Sequence, residues 1–456
     1  MLEALHKFFE VFGAATVVPA MIFIVSLFLK VNPRRAFFSA LRAGVGLTGF
    51  GWIISAFAPM VTKYIQQMVK TTGLHLPIVD IGWQAGSLTA FSSEIGLSFF
   101  VFGLLIELGL FLLGITRVFV PSNLWNNFGY MIWGTMAYAA TGNFILSFAF
   151  MVFVLLYSLV MSEVLADRWS EYYGVKNATI NSIHNIETLI PALILDPLWN
   201  LLGVNKVKLN PESLKTKLGI FGEPMTLGFA VALAAVMTIF PLITGVFASA
   251  FAPLAEAVER NKKKESQAEQ GALDKKRWFI AVDDGVGFGE PATIIAGLIL
   301  VPIMVVISLI LPGNEALPVV DLIAIPFMIE AMIAVSKGNI LKAILNGIIW
   351  FSLGLYAASA LGPIYTEAVK HFGTALPAGV TLIMSFNLLA HPLTALVFFA
   401  WISGNPLYIG VTVVIYLAFL FLLRTRRESI YAYLKTMADK NSGYEGSCEK
   451  IFIAED

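Results

Sequence analysis

The sequence predicts an all-α, polytopic membrane protein of about 11 transmembrane helices, built as two inverted repeats with two re-entrant or broken segments. Three observations carry that expectation: the density of apolar residues, a set of landmarks that recurs in one order, and a lopsided distribution of positive charge. Of the 456 residues, 58% are hydrophobic and 13% charged, and mean hydropathy is +0.79. A soluble domain carries about 25% charge. The apolar residues come in blocks such as 14–29, 144–162 and 405–423. About ten stretches approach the roughly 20 residues that a membrane helix needs.

The N-terminal "MLEALHKFFEVFGAATVV" has no small-residue cleavage site after a short apolar core, so it reads as retained. The single cysteine, Cys448, lies in the polar tail and excludes internal disulfides and CxxC metal sites.

The repeat is read from landmarks. "SAFAP" occurs at 55–59 and again at 249–253, followed by "VDIGWQAG" at 79–86 and "VDDGVGFG" at 282–289. Both of the latter fit V-D-x-G-x-x-x-G. Next come "PSN" at 121–123 and "PGN" at 312–314, then "TGN" at 141–143 and "KGN" at 337–339. The order gives a first repeat over 1–215, a second over 216–430 and a cytoplasmic tail over 431–456. "FGEP" at 221–224 and 288–291 does not fit this register.

Charge sets the orientation. Residues 60–75 carry Lys63 and Lys70, whereas 254–278 carry Arg260, Lys262, Lys263, Lys264, Lys275, Lys276 and Arg277. Lysine and arginine collect in cytoplasmic loops, so equivalent loops face opposite sides. The basic run 259–277 reads as a solvated cytoplasmic loop, with docking to a soluble partner or anionic lipid as the sharper alternative. The N-terminus is then outside and the C-terminus inside.

Inverted repeats with broken helices are the plan of transporters that bind solute near the bilayer midplane. The breaks are expected around 76–93 and 279–291, with Gly82, Gly86, Gly285 and Gly289 shaping them. Acidic residues near apolar spans are costly and mark function: Asp80, Glu94, Glu107, Asp283, Asp284, Glu290, Asp321 and Glu330. Asp80 and Asp283 hold equivalent places. Each reads either as a ligand for a polyhydroxylated solute or cation, or as a cap on a half-helix. Glu290 precedes a proline at a natural first helical position. Glu107 and Glu330 read as pairing across helices. Trp83 and Gln84 offer an aromatic face and an amide, as do Trp125, Asn126 and Asn127; the interfacial aromatic belt is the alternative for either tryptophan. His184, in "NSIHNIET", reads as a loop histidine. No H-E-x-x-H, Walker A or G-x-S-x-G motif occurs, so neither a catalytic nucleophile, a metal nor a cofactor is expected.

In the order "VDIGW" (79–83), "GITRV" (114–118), "LWNN" (124–127), "FGEPMTLGF" (221–229), "AVDDGVGFG" (281–289) and "LPGNEALPVVDL" (311–322), the chain resembles the galactitol-type enzyme IIC of the bacterial phosphotransferase system, related to the ascorbate-type permeases. The resemblance implies a homodimeric inner-membrane permease for a sugar or polyol, whose substrate is phosphorylated by a separate IIB subunit charged through IIA. It also implies site positions at Asp80, Trp83, Asn126 and Asp283, loop shaping by Gly86 and Gly289, and His184 near the entry for IIB. The chain departs from the family pattern at Glu290, where a histidine follows the glycine, at Glu94, where glutamine is common, and near Gly129, where a histidine is common. These departures leave a polyol or monosaccharide class rather than galactitol alone. An ion-coupled transporter of a small polar solute, with Asp80 and Asp283 or Glu290 holding Na⁺ or H⁺, is the alternative reading.

Overall fold

In hydrocarbon every backbone N–H and C=O must find its partner within the protein, and the long apolar blocks accordingly become helices. The computed structural model describes residues 14–52, 76–120, 127–209, 278–372 and 380–441, apart from positions 29, 47, 50 and 51, with isolated positions between 239 and 257. The first SAFAP, Trp125, Asn126, FGEP at 221–224, the basic run 259–277 and Cys448 lie outside the described residues, as does part of the second SAFAP.

Helix α1 (Ala14–Phe28) and a helix over 33–46 open the described chain. Strand β1 (Ile78–Asp80) leads into α2 (Trp83–Ser92) and α3 (Glu94–Leu112). After β2 (Val118–Phe119) come α4 (Asn127–Thr141) and the long α5 (Phe144–Tyr173). Then follow β3 (Ala178–Ile180), the single turn α6 (Ile183–Ile186) and α7 (Leu189–Leu201). The second part begins with β4 (Phe279–Val282), the turn α8 (Gly285–Phe288) and α9 (Pro291–Ile310). Strand β5 (Ala316–Leu317) is followed by a 3₁₀ turn (Asp321–Ala324) and the short helices α10 (Ile325–Met328) and α11 (Glu330–Val335). The long α12 (Ile340–His371), β6 (Leu382–Met384), the turn α13 (Phe386–Leu389), α14 (Pro392–Ile402) and α15 (Pro406–Asp439) complete it.

Five of these helices, α3, α5, α9, α12 and α15, are long and apolar enough to cross a bilayer. Their starts are written in the sequence. The asparagines of "TGN", "KGN" and "SGN" each cap a helix. Asn143 accepts from the Leu146 N–H at 3.0 Å, Asn339 from Lys342 at 3.1 Å and Asn405 from Leu407 at 2.9 Å. Such a cap satisfies an orphan donor that has no intrahelical partner.

Six short strands among the described residues are the addition to the all-helical expectation, and their cause is the same backbone requirement. Where a helix is interrupted inside the protein, the unwound residues pair with one another. Two parallel three-stranded sheets result, ordered β5-β1-β6 and β2-β4-β3. Ile78 and Val79 align with Ala316 and Leu317 on one side and with Leu382 and Ile383 on the other. In the second sheet Ile280 aligns with Phe119 and Ala178, and Val282 with Ile180. The loops leaving these sheets carry the acidic residues.

Packing is tightest around α5, α9, α11 and α12, where Trp169, Phe351, Tyr365 and Met304 are fully buried. Helix α15 differs. It exposes Leu407, Val411, Val414, Leu417 and Phe421, the composition of a lipid-facing surface. Its 34 residues span about 51 Å against a hydrocarbon core of about 30 Å, so it continues into water. Non-helical backbone angles at Arg426 (φ −125°, ψ 19°) mark a kink there. Beyond the kink Arg427 forms a buried ion pair with Glu163, and the Tyr431 hydroxyl donates to the Glu163 carbonyl at 3.0 Å. Lys337 pairs with Asp439 at 3.3 Å, and the Asn205 amide donates to the Lys440 carbonyl at 2.9 Å. Residue 431 thus lies inside this helix, and the tail beyond it begins as helix.

Candidate functional site

Six of the eight acidic residues singled out in the sequence gather in two clusters, one beside each sheet; Glu94 and Glu107 belong to neither. In the first, the Asp80 carboxylate closes its own turn by accepting from the Gly82 N–H at 2.9 Å. Its other oxygen accepts from the N–H groups of Val319 (3.1 Å) and Asp321 (2.8 Å). Asp321 answers in kind. One of its oxygens accepts from the Trp83 N–H at 2.9 Å; the other takes the Ser385 hydroxyl and the Asn387 N–H at 3.1 Å. The two carboxylates therefore clasp three segments, the starts of α2, of the 3₁₀ turn and of α13, all beside the β5-β1-β6 sheet. Both are buried. Gly82 adopts φ 90°, a backbone region that side-chain-bearing residues avoid, and this lets the chain leave β1 sharply.

In the second cluster the Asp283 carboxylate closes the equivalent turn, accepting from the Gly285 N–H at 2.8 Å. The two V-D-x-G motifs thus fold into the same side-chain-closed turn. Asp284 accepts from the Ser182 hydroxyl at 2.8 Å and bonds His184 Nε2. Glu290 caps α9, accepting from the N–H groups of Ala292 (3.1 Å) and Thr293 (2.8 Å) and from the Thr293 hydroxyl (2.8 Å). Glu330 on α11 accepts from Trp169 Nε1 at 3.0 Å, a pairing across helices, while its Oε1 has no partner among the described residues. The Asn185 amide oxygen accepts from the Ala331 N–H at 3.1 Å, which ties the His184 turn to α11.

Of the positions singled out in the sequence, the structure brings Asp80, Trp83 and Gly86 together at the first cluster, and His184, Asp283, Gly285 and Glu290 at the second. Among the described residues no hydrogen bond joins the two clusters. Glu94 is exposed at the start of α3, next to the Ser93 cap. Gln84 lies in α2 with its side chain outside the described residues, and Asn126 lies outside them altogether. Gly289 is helical, with φ −74°. Glu107 is buried with neither oxygen partnered among the described residues.

Glu187 was not singled out. Its carboxylate accepts from the N–H groups of Leu393 (3.2 Å) and Thr394 (2.8 Å), and from the Thr394 hydroxyl, capping α14 from another part of the chain. "HNIET" between two apolar runs was the available signal, since an acid there needs donors.

The second cluster has little room. A Cβ on Gly287 would lie 2.2 Å from Glu330 Oε2, so Gly287→Ala must displace the carboxylate that Trp169 holds. Overpacking of this kind costs about 1–3 kcal/mol. The expected result is a lower melting temperature of the purified protein in detergent together with slower solute uptake. Unchanged melting and uptake would show that the α8 turn and Glu330 do not press on each other.

Apolar spans surrounding buried, carboxylate-held loops define a multi-pass membrane permease. The model of the sugar-specific permease component of the PTS system matches residues 7–233 and 226–379, and the chain belongs to that family. It is 26% identical over 404 residues to the galactitol-specific EIIC component of the PTS system of Escherichia coli (strain K12), covering 83% of this chain and 87% of that protein. The galactitol-specific EIIC component of Escherichia coli O157:H7 matches to the same extent. A putative permease IIC component of strain K12 is 23% identical over 376 residues, covering 78% of this chain and 84% of the relative. The protein is thus a sugar-specific PTS permease of the inner membrane, and membership of this family implies work with IIA and IIB components.

Proposed function

We propose that the protein carries a galactitol-like polyol or monosaccharide inward and presents it to a separate phosphorylated IIB subunit. The observation that carries this reading is the similarity to galactitol-specific components along most of the chain. The paired V-D-x-G turns supply loops at which a hydroxyl-rich solute meets carboxylates. In this reading Asp283, with Glu290 and His184 beside it, lies nearest the solute, and Trp83, Gln84, Glu94 and Asn126 contribute from the first half. Asp80 serves chiefly to hold the loops on which they stand.

The same reading takes the chain as two inverted repeats, 1–215 and 216–430, with about 11 crossings and re-entrant segments around 76–93 and 279–291. Sheet order supports it: the first strand of each half lies between the second and third strands of the other, β1 between β5 and β6, β4 between β2 and β3. Arg168 and Lys176 near the end of α5, Arg424 and Arg427 about the kink of α15, and Lys337 beside its end support a cytoplasmic C-terminus, with the N-terminus outside. The homodimer belongs to this reading too.

Uptake of labelled hexitols, pentitols and hexoses into vesicles tests it, with and without phosphoenolpyruvate and the soluble phospho-carriers. Phosphorylated product formed only when the carriers are present is the expected result. Unmodified solute accumulating on an ion gradient alone would overturn it in favour of ion coupling.

A further inference from the structure

Away from both clusters, a cavity of about 570 Å³ opens between the end of α5 and the part of α15 beyond its kink. Its volume suits a small solute, since ligand sites run to roughly 300–1,000 Å³. Three cations and three carboxylates line it: Arg168, Lys176 and Lys435 with Asp167, Glu171 and Glu428. Glu171, Lys176, Glu428 and Lys435 are exposed around the mouth, whereas Arg168 is buried. Lys176 stands just before β3, the strand that leads to Ser182 and the second cluster. In the orientation proposed above the cavity opens to the cytoplasm, the side on which product is released.

We propose that this cavity is a binding site for a phosphorylated polyol, which on the permease reading above is the product that the protein and its carrier make together. Arg168 is the residue that points to a phosphate. Two of its guanidinium nitrogens are taken, Nη1 donating to Glu171 at 2.7 Å and Nη2 to the Ala334 carbonyl at 3.0 Å. Its Nε–H has no partner among the described residues, although the side chain is only 4% exposed. A buried donor left unmet is costly, and a phosphate oxygen is an acceptor that the guanidinium fork matches closely. Glu428 and Lys435 have neither a hydrogen bond nor an ion pair among the described residues. They stand two turns apart on one face of α15, both directed to the cavity they line.

The mixed lining selects the class of ligand. Bare phosphate gains from the cations but is repelled by the carboxylates. An uncharged polyol donates its hydroxyls to the carboxylates and leaves the cations unmet. A polyol phosphate uses both sets: its phosphate meets Arg168, Lys176 and Lys435, and its hydroxyls donate to Asp167, Glu171 and Glu428. The glycerol phosphate headgroup of an anionic lipid shares this chemistry. The cavity lies past the lipid-exposed run of α15, which reaches Leu422, and beyond the kink at Arg426. That position favours the free, water-borne ester.

The test measures equilibrium binding of radiolabelled galactitol phosphate, galactitol and inorganic phosphate to the full-length protein, in nanodiscs with and without phosphatidylglycerol. Wild type is expected to bind galactitol phosphate in both discs, and more tightly than inorganic phosphate. Lys435→Gln should weaken galactitol phosphate by about tenfold, the loss of one charge-assisted hydrogen bond, and leave galactitol binding unchanged. Glu428→Gln should weaken galactitol phosphate while inorganic phosphate binds no worse, because only the hydroxyls lose an acceptor. Arg168→Gln should abolish binding of the ester; if it fails to fold, the two exposed variants carry the comparison. Galactitol phosphate that does not bind, or that binds equally to wild type and both exposed variants, overturns the assignment. Phosphatidylglycerol retained by wild type and released by Lys435→Gln, with no galactitol phosphate bound, overturns it in favour of a lipid headgroup. Wild-type protein that forms no galactitol phosphate from galactitol with IIA, IIB and phosphoenolpyruvate present would instead sink the substrate reading on which the choice of ester rests.

Discussion

Asp80→Ala will cost the protein its fold as well as its transport. The substitution strips the acceptor from three buried backbone donors at once, the N–H groups of Gly82, Val319 and Asp321. Each donor left unsatisfied costs about 1–3 kcal/mol, against a total stability of about 5–15 kcal/mol. No rearranged water can replace the carboxylate easily, because the site is buried beneath a sheet whose strands pack on α12. The expected measurement is a large fall in melting temperature in detergent, with little monodisperse protein recovered. Asp80→Asn should fall between the two, since its carbonyl still accepts while its amide group meets donors with donors. Asp321→Asn should resemble it. The double variant should lose less than the sum, because both carboxylates hold the start of α2, Asp80 through the Gly82 N–H and Asp321 through the Trp83 N–H, and residues sharing one network do not add. A residue that only touched the solute would behave otherwise: normal melting, with binding alone abolished. That outcome would return Asp80 to the solute and remove it from the scaffold.

The contrast between Asp80 and the caps shows what a sequence can and cannot disclose. Helix starts were legible because their signals are local. Asn143 and Asn339 reach donors three residues away, and Glu290 with Pro291 states its own role as a cap. The recurrence of V-D-x-G was legible for the same reason, and both copies close the same turn. The partner of Asp80 was not legible. Asp321 lies 241 residues on, inside an apolar run where nothing distinguishes it from the other acids. The strands were hidden for a different reason. At two to four residues each, they are too short to show a period, and they exist because interrupted helices need backbone partners. His184 shows a third limit: its neighbours in "NSIHNIET" are local, whereas the carboxylate it meets, Asp284, lies 100 residues on.

A second long-range pair, away from either cluster, predicts an effect of similar size. Lys342 lies near the start of α12 with its side chain wholly buried, its ammonium 3.5 Å from Asp196 on α7. It also donates to the Asn200 amide oxygen at 2.6 Å. Asn346, one turn along α12, donates to the other Asp196 oxygen at 2.9 Å and accepts from Trp199 Nε1 at 2.7 Å. The ammonium and one Asp196 oxygen are thus hydrogen-bonded, and the other oxygen faces the ammonium at 3.5 Å without a hydrogen bond among the described residues; charge pairing of this kind is the condition under which a buried pair is tolerated at all. Lys342→Met removes the cation and strands Asp196 in an apolar setting, at a cost of about 3–5 kcal/mol. Asp196→Leu strands the ammonium in the same way. Changing both restores charge balance and adds apolar contact between α7 and α12, so the double variant should melt nearer to wild type than either single one. The quantity to measure is the coupling in a double-mutant cycle of melting free energies, and it should be large and favourable. Equal, additive losses would mean that the two charges are held by the asparagines and not by each other. Restored melting with restored uptake would show that this pair fixes how α7 sits on α12 and has no part in moving the solute.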